Sequence, residues 1–383
     1  MEEKAGQTKK RRWRWGCCGI PALLVVLAIV AMTVSVFVIE KRQADRMSKR
    51  DKPETYSEIF NTNFPPDYTV SVAEEGKFNQ IMVDLLQVQE NDSGTFNINY
   101  SENEGAKLLR PLKPDEKITK ANSDMKFIKD YYPEGYYLVV NSVLKTPKKD
   151  QIVQNFYMRS SGDEDRIDFV VHELSHYGRI GDISSRDSSG YVLEDKKITT
   201  GKQANMPQGD ELLKYIGEPV SFDDKYLKEN KHDIYTTLDE VVSYTKSVRV
   251  ARVFAHYNKG GVDEDAPQGL SRQLYYLSLH LKNIKENYPN LWLAMKKDKG
   301  FAYIMSRVIS IAKTEIQAAR DEGVSGFTGG TDHASSIDSN LSLFNESQAL
   351  FDELFAATGI DTMDNLQDLT QQELSVIGVK TER

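Results

Sequence analysis

Cysteine is nearly missing from these 383 residues: Cys17 and Cys18 stand alone, and nothing from residue 19 onward can enter a disulfide. A fold stapled by a disulfide framework is therefore excluded. Net positive charge is lacking too, with 57 acidic residues against 49 basic ones. The first 39 residues hold six of the basic groups and two of the acidic ones, so the net charge of −8 becomes −12 beyond them. Such a surface repels phosphate backbones, and no nucleic acid is expected as a partner. Histidine is scarce, six in all, and no internal repeat is visible. Long apolar runs are also absent, with one exception.

That exception is "CCGIPALLVVLAIVAMTVSVFVI", residues 17–39, which carries no charge over 23 positions. At about 1.5 Å per residue, a helix of this length crosses a hydrocarbon core of about 30 Å. It is longer than the apolar core of a cleaved signal peptide, about 7–15 residues, and has no clear small-x-small cleavage site, so an uncleaved transmembrane helix is expected. The dense cluster "KKRRWR" precedes it, whereas the basic residues that follow are diluted by Glu40, Asp45 and Asp51. This asymmetry predicts a cytoplasmic segment at residues 1–16 and a main domain outside the cytoplasm, with Trp13 and Trp15 at the inner interface. Residues 40–66, charged and ending in "NFPPDY", read as a stalk.

The remainder predicts an α+β fold. In residues 67–160, "GKFNQIMVDLLQVQ" has helical spacing, "TFNINY" alternates, and "GYYLVVNSVL" is a β-branched and aromatic run with strand character. From residue 161 to 383 the pattern turns helical, with helices expected at 161–178, 237–257, 270–287, 299–321 and 346–357. Two irregular stretches are expected between them. One is "SSRDSSGYVLEDKKITTGKQANMPQGD", which follows the first helix; the other is the glycine-rich "GVSGFTGGTDHASS" at 323–336.

The first of those helices contains "HELSH", residues 172–176. Residues four apart on a helix stand one above the other, so His172 and His176 can bring two ring nitrogens onto one ion at about 2.0–2.1 Å, a spacing that suits Zn2+. Glu173 is rotated by about 100° from His172 and flanks the ion rather than completing its shell. There it is placed to take a proton from zinc-bound water, whose pKa falls to about 7. The apolar residues Ile167, Val170, Val171 and Leu174 form a separate face, which leaves the histidines available.

In these residues the chain resembles the zincin metallopeptidases, whose His-Glu-x-x-His motif corresponds here to His172, Glu173 and His176. The resemblance implies two zinc ligands, a general base and hydrolysis of peptide bonds; it covers one helix. A third ligand lies outside the motif. Metzincins continue to a glycine three residues on and a histidine or aspartate three further; here Asp182 takes the last place, with Met206 as a Met-turn candidate, but Arg179 stands where the glycine belongs. Gluzincins take a glutamate from a later helix, and "YTTLDEVVSYTKSVRVARVF" offers Glu240. Leu238, Val241, Val242, Thr245 and Val248 bury that helix, and no basic residue lies three or four positions from Glu240, so its carboxylate needs another compensating charge. Asp239 is a further alternative, and a capping box of Thr237 with Glu240 is a competing structural role. Tyr235, Tyr244, His232, His256 and His333 are candidates for stabilising an oxyanion, while His280 reads as a helix residue at the core boundary. The expectation is thus a membrane-anchored, gluzincin-like zinc peptidase acting on protein or peptide substrates. An inactive zincin-fold binding or assembly protein at the membrane surface is the alternative.

Overall fold

A computed structural model describes residues 70–87, 125–145, 167–178, 188–193, 196–256, 265–324, 326–327, 332–360 and 371–382. The expected cytoplasmic segment, transmembrane helix and stalk, Asp182, and the strand "TFNINY" lie outside them. No helix among the described residues is long and apolar enough to cross a membrane.

These residues are mostly helical, and the expected α+β character is reduced to one small sheet. In chain order the elements are α1 (Val72–Gln87), α2 (Pro133–Lys145), α3 (Ile167–Gly178), β1 (Ser188–Leu193), β2 (Lys196–Gly201) and a 3-10 helix (Gly209–Tyr215). A helical turn, Ser221–Asp223, then runs into a π-helical turn, Asp224–Glu229. The rest comprises α4 (Ile234–His256), α5 (Asp265–Asn287), α6 (Pro289–Met295), α7 (Lys299–Glu322), α8 (Asp332–Glu346), α9 (Gln348–Thr358), α10 (Gln371–Val376) and β3 (Lys380–Glu382).

The clearest correction concerns "GYYLVVNSVL", which forms the helix α2 instead of a strand. Pro133 opens it with a φ already suited to the first helical turn and Glu134 follows at the positive end of the dipole. Leu138, Val139, Val140 and Val143 are all buried, so tertiary packing outweighs the intrinsic β preference of valine. The second correction is an antiparallel hairpin inside the stretch expected to be irregular: β1 pairs with β2 from Ser188 opposite Gly201 to Leu193 opposite Lys196. β3 adds to the other edge of β2, giving the order β1-β2-β3. The expected loop at 323–336 is also shorter, because α8 begins at Asp332.

Helix α4 is the axis of the fold. Leu238, Val241, Val248 and Ala251 are fully buried, and α3, α5 and α7 pack around it. Each fully buried leucine or valine side chain contributes about 1.5–3 kcal/mol relative to exposure. Asp233 sets the start of this helix by accepting hydrogen bonds from the Thr236 amide at 2.9 Å and the Thr236 hydroxyl at 3.0 Å. With the cap at Asp233, Glu240 lies two turns inside the helix, and the capping box with Thr237 does not form. The crossing of α3 over α4 is close enough for the Ser247 hydroxyl to donate to the Asp168 carbonyl at 3.2 Å. Val250, Val253 and Phe254 at the far end of α4 pack into an apolar cluster with α1, α2 and α3.

Candidate metal centre

The α3–α4 crossing brings His172, His176 and Glu240 together. The two Nε2 atoms are 3.3 Å apart, and Glu240 Oε2 lies 3.4 Å from that of His172 and 3.6 Å from that of His176. Tetrahedral ligands held about 2.0–2.1 Å from zinc are separated by roughly 3.3–3.4 Å along each edge. Three ligand atoms therefore already sit near one face of such a tetrahedron. Glu240 Oε2 is buried and has no hydrogen-bond partner, an arrangement that costs free energy unless a cation compensates it. The residues present fit a divalent metal with nitrogen and oxygen ligands.

The ring of His176 is fixed from behind. Its Nδ1 lies 2.8 Å from Asp239 Oδ2 and 3.2 Å from Ser243 Oγ. Donation of the Nδ1 proton to Asp239 leaves the lone pair on Nε2, the side facing Glu240. Asp239, weighed above as a ligand, is thus placed on the opposite ring nitrogen. Ser243 was not foreseen, although its spacing of four from Asp239 puts both on one helix face.

The electrostatics favour positive charge in this buried place. Burial alone pushes the His176 pKa down, yet the Glu240 and Asp239 carboxylates outweigh it and raise the ring well above its ordinary value. Burial likewise opposes ionisation of Glu240, but His176 and His172 hold its carboxyl far below the usual range.

Glu173 is half-buried and, with His172, lines a cleft of about 490 Å³ bounded by α3, residues 220–226, α4, α5 and α8. The π-helical turn carries Tyr226 into this cleft, opposite Tyr244 of α4, and the two hydroxyls are 2.8 Å apart. The Tyr244 ring packs edge-on against the His172 ring with centroids 4.4 Å apart. Burial, followed by the Glu240 carboxylate, pushes the Tyr226 phenol far up, so it stays protonated. Sequence offered no signal for Tyr226, because "SFDDKYLKEN" has neither a motif nor a periodic face.

The other candidates are distributed unevenly. His232 is close, with Nδ1 3.8 Å from Glu240 Oε1, and burial pushes its pKa down. Tyr235 is not at the centre: it accepts a hydrogen bond from the Gln203 amide at 2.8 Å and packs on Phe301. His256 lies at the other end of α4, where it faces Glu322 at 3.4 Å. His280 is fully buried against Thr237, and Met206 belongs to the main apolar core. The side chain of His333 lies outside the described residues.

Comparison with known proteins returns no matching family model, no matching curated protein and no matching solved structure.

Proposed function

We propose that the protein is a membrane-anchored, zinc-dependent peptidase with a gluzincin-like centre, its main domain outside the cytoplasm. One observation carries the metal part of this reading: an otherwise unpartnered, buried Glu240 oxygen stands 3.4 and 3.6 Å from two histidine nitrogens that are themselves 3.3 Å apart. His172, His176 and Glu240 would hold the ion. Zinc at such a site supplies a Lewis acid that polarises a carbonyl and lowers the pKa of water.

The chain's own residues would do the rest. Glu173, beside His172 on the cleft wall, takes the proton of the attacking water and passes it to the leaving amine. Asp239 holds the His176 ring so that Nε2 keeps its lone pair. The Tyr226 hydroxyl, on the cleft wall and paired with Tyr244, would turn to the substrate carbonyl oxygen as negative charge grows on it.

The test is metal content and hydrolysis by the full chain in detergent, against peptides and against ester and other amide controls. About one zinc per chain and peptide cleavage are expected, and Glu173→Gln should keep the zinc while losing hydrolysis. A wild-type chain that binds zinc but cleaves nothing would favour the binding or assembly role. Full activity in Glu173→Gln would sink the mechanism.

A further inference from the structure

Tyr226 is carried to the cleft wall by a π-helical turn, a rare geometry that needs support from outside itself. In this turn the Asn230 amide donates to the Lys225 carbonyl, five residues back, at 3.1 Å. The Tyr226 carbonyl, which an α-helical continuation would give to Asn230, is taken instead by the His232 amide at 3.0 Å. That bond fixes the exit of the turn. Its entry is fixed by Asp223, three residues before Tyr226, where the helical turn Ser221–Asp223 runs into it.

The Asp223 carboxylate is completely buried and gripped from several sides. Its Oδ2 accepts from the Val220 amide at 2.8 Å, which closes the first turn. Arg272 of α5 donates to Oδ1 from Nε at 3.0 Å and to both oxygens from Nη2, at 2.6 and 2.7 Å, and the Tyr276 hydroxyl donates to Oδ1 as well. The other arm of the guanidinium, Nη1, donates to Asn340 Oδ1 of α8 at 3.0 Å, and Asn340 in turn donates to Ser271 Oγ at 3.1 Å. One carboxylate thus ties the segment that carries Tyr226 to two helices. The packing around it is apolar and aromatic: Leu227 is fully buried, and the Phe222 ring lies 4.5 Å from that of Tyr226 and 6.2 Å from that of Tyr276. Apolar burial is non-directional and does not by itself fix a register. A buried ion pair adds little net stability, because desolvation offsets the attraction. What a carboxylate held by a planar fork supplies is direction.

We infer that Asp223 and Arg272 are the positioning pair of the candidate centre: through the turn that Asp223 opens, they hold the Tyr226 hydroxyl at the cleft wall, 2.8 Å from that of Tyr244. For its use in catalysis the inference rests on the reading of Tyr226 as the group that meets the substrate carbonyl, but the hold on the tyrosine belongs to the fold itself. Misplacing a reacting group by about 1 Å can cost on the order of a hundredfold in rate. Loss of the fork is therefore read in kcat and only through Tyr226.

The hold on Tyr226 can be read without metal. In the full chain in detergent, with metal removed by a chelator, meta-fluorotyrosine is placed at position 226 or, as a control in the apolar core, at position 235, and fluorine NMR is recorded. Arg272→Lys keeps the charge and loses the fork, and Asp223→Asn keeps the shape and loses the charge. Each should displace or split the Tyr226 signal and leave that of Tyr235 in place. Asn340→Ala removes one arm only and should displace the signal less. A second arm loads zinc and follows peptide hydrolysis. Arg272→Lys should lower kcat about 10–100-fold with little change in KM or zinc content. In a Tyr226→Phe background the same substitution should cost less than about twofold, because the group it positions is gone. A Tyr226 signal unmoved in all three variants, or an equal loss of kcat in the two backgrounds, would overturn the inference. Displacement of the signal in a chain that hydrolyses nothing removes the peptidase reading and leaves the hold on Tyr226 standing, whereas hydrolysis that Arg272→Lys leaves at the wild-type kcat removes the positioning pair alone.

Discussion

Asp239 and Glu240 are neighbours in sequence, yet they act on opposite sides of His176. A step of one residue on a helix turns the side chain by about 100°, so Glu240 reaches Nε2 of His176 while Asp239 reaches Nδ1. Their replacements should separate by kind of effect. Glu240→Ala removes a ligand and is expected to abolish zinc binding at micromolar metal. Asp239→Asn keeps the ring in place but weakens its hold, and affinity should fall about 10–100-fold. Competition against a fluorescent chelator measures both; equal loss in the two variants would place Asp239 among the ligands. Tyr226 can be tested in the same way. Tyr226→Phe leaves the metal ligands untouched, so zinc content should stay, while kcat falls about 10²–10³-fold with little change in KM. A variant with wild-type kcat would remove the tyrosine from the mechanism.

At the scale of elements, α4 is unusual because it is buried on nearly every side while carrying charge. Lys246, Arg249 and Arg252 recur every three residues beyond the metal centre. Glu134 of α2 accepts from Lys246 and Arg249, each at 2.8 Å, and Glu315 of α7 accepts from Arg249 at 2.9 Å. Arg252 also pairs with Glu315 and Glu322. The stripe thus ties the α1–α3 cluster to α7 through α4. Arg249→Met should cost about 3–5 kcal/mol, because it leaves parts of two buried carboxylates uncompensated. Urea unfolding would show it; a change under about 1 kcal/mol would mean that the network reorganises around the gap. Nothing in "KSVRVARVF" marked these charges as buried, since their partners lie more than 60 residues away. Periodicity did carry α4, α5, α7 and α9 to within a few residues, apart from an earlier start of α5. Likewise, His172, His176 and Glu240 were legible, two from their spacing and one from an apolar stripe without a cationic neighbour. What was not legible depends on tertiary contact: α2 is helical because its valines are buried, and Tyr226 matters only because a π-helical turn faces it toward α4.

For the whole molecule, the metal centre and the core are one structure, since α4 supplies residues to both. Loading the proposed ion should therefore raise the stability of the entire fold, and acid should lower it through buried groups on the helices packed against α4. His280 of α5 is completely buried, and burial pushes its pKa down to about 4. In the unfolded chain the same ring titrates at about 6.5. Between these values the unfolded state binds a proton that the folded state refuses, so stability is lost as pH falls from about 6.5 to about 4, and no further loss comes from this ring below that. The full difference is on the order of 3 kcal/mol. Comparison of the chelator-treated wild type with His280→Leu isolates it, because the remaining titrations, those of His176 and Glu240 included, are common to both. The stability advantage of the wild type over the variant should shrink steadily across this window in urea unfolding at fixed temperature. An advantage that is constant from pH 7 to 4 would show that the ring is equally protonated in both states. The buried polar contact with Thr237, 3.2 Å away, does not depend on that titration and would remain.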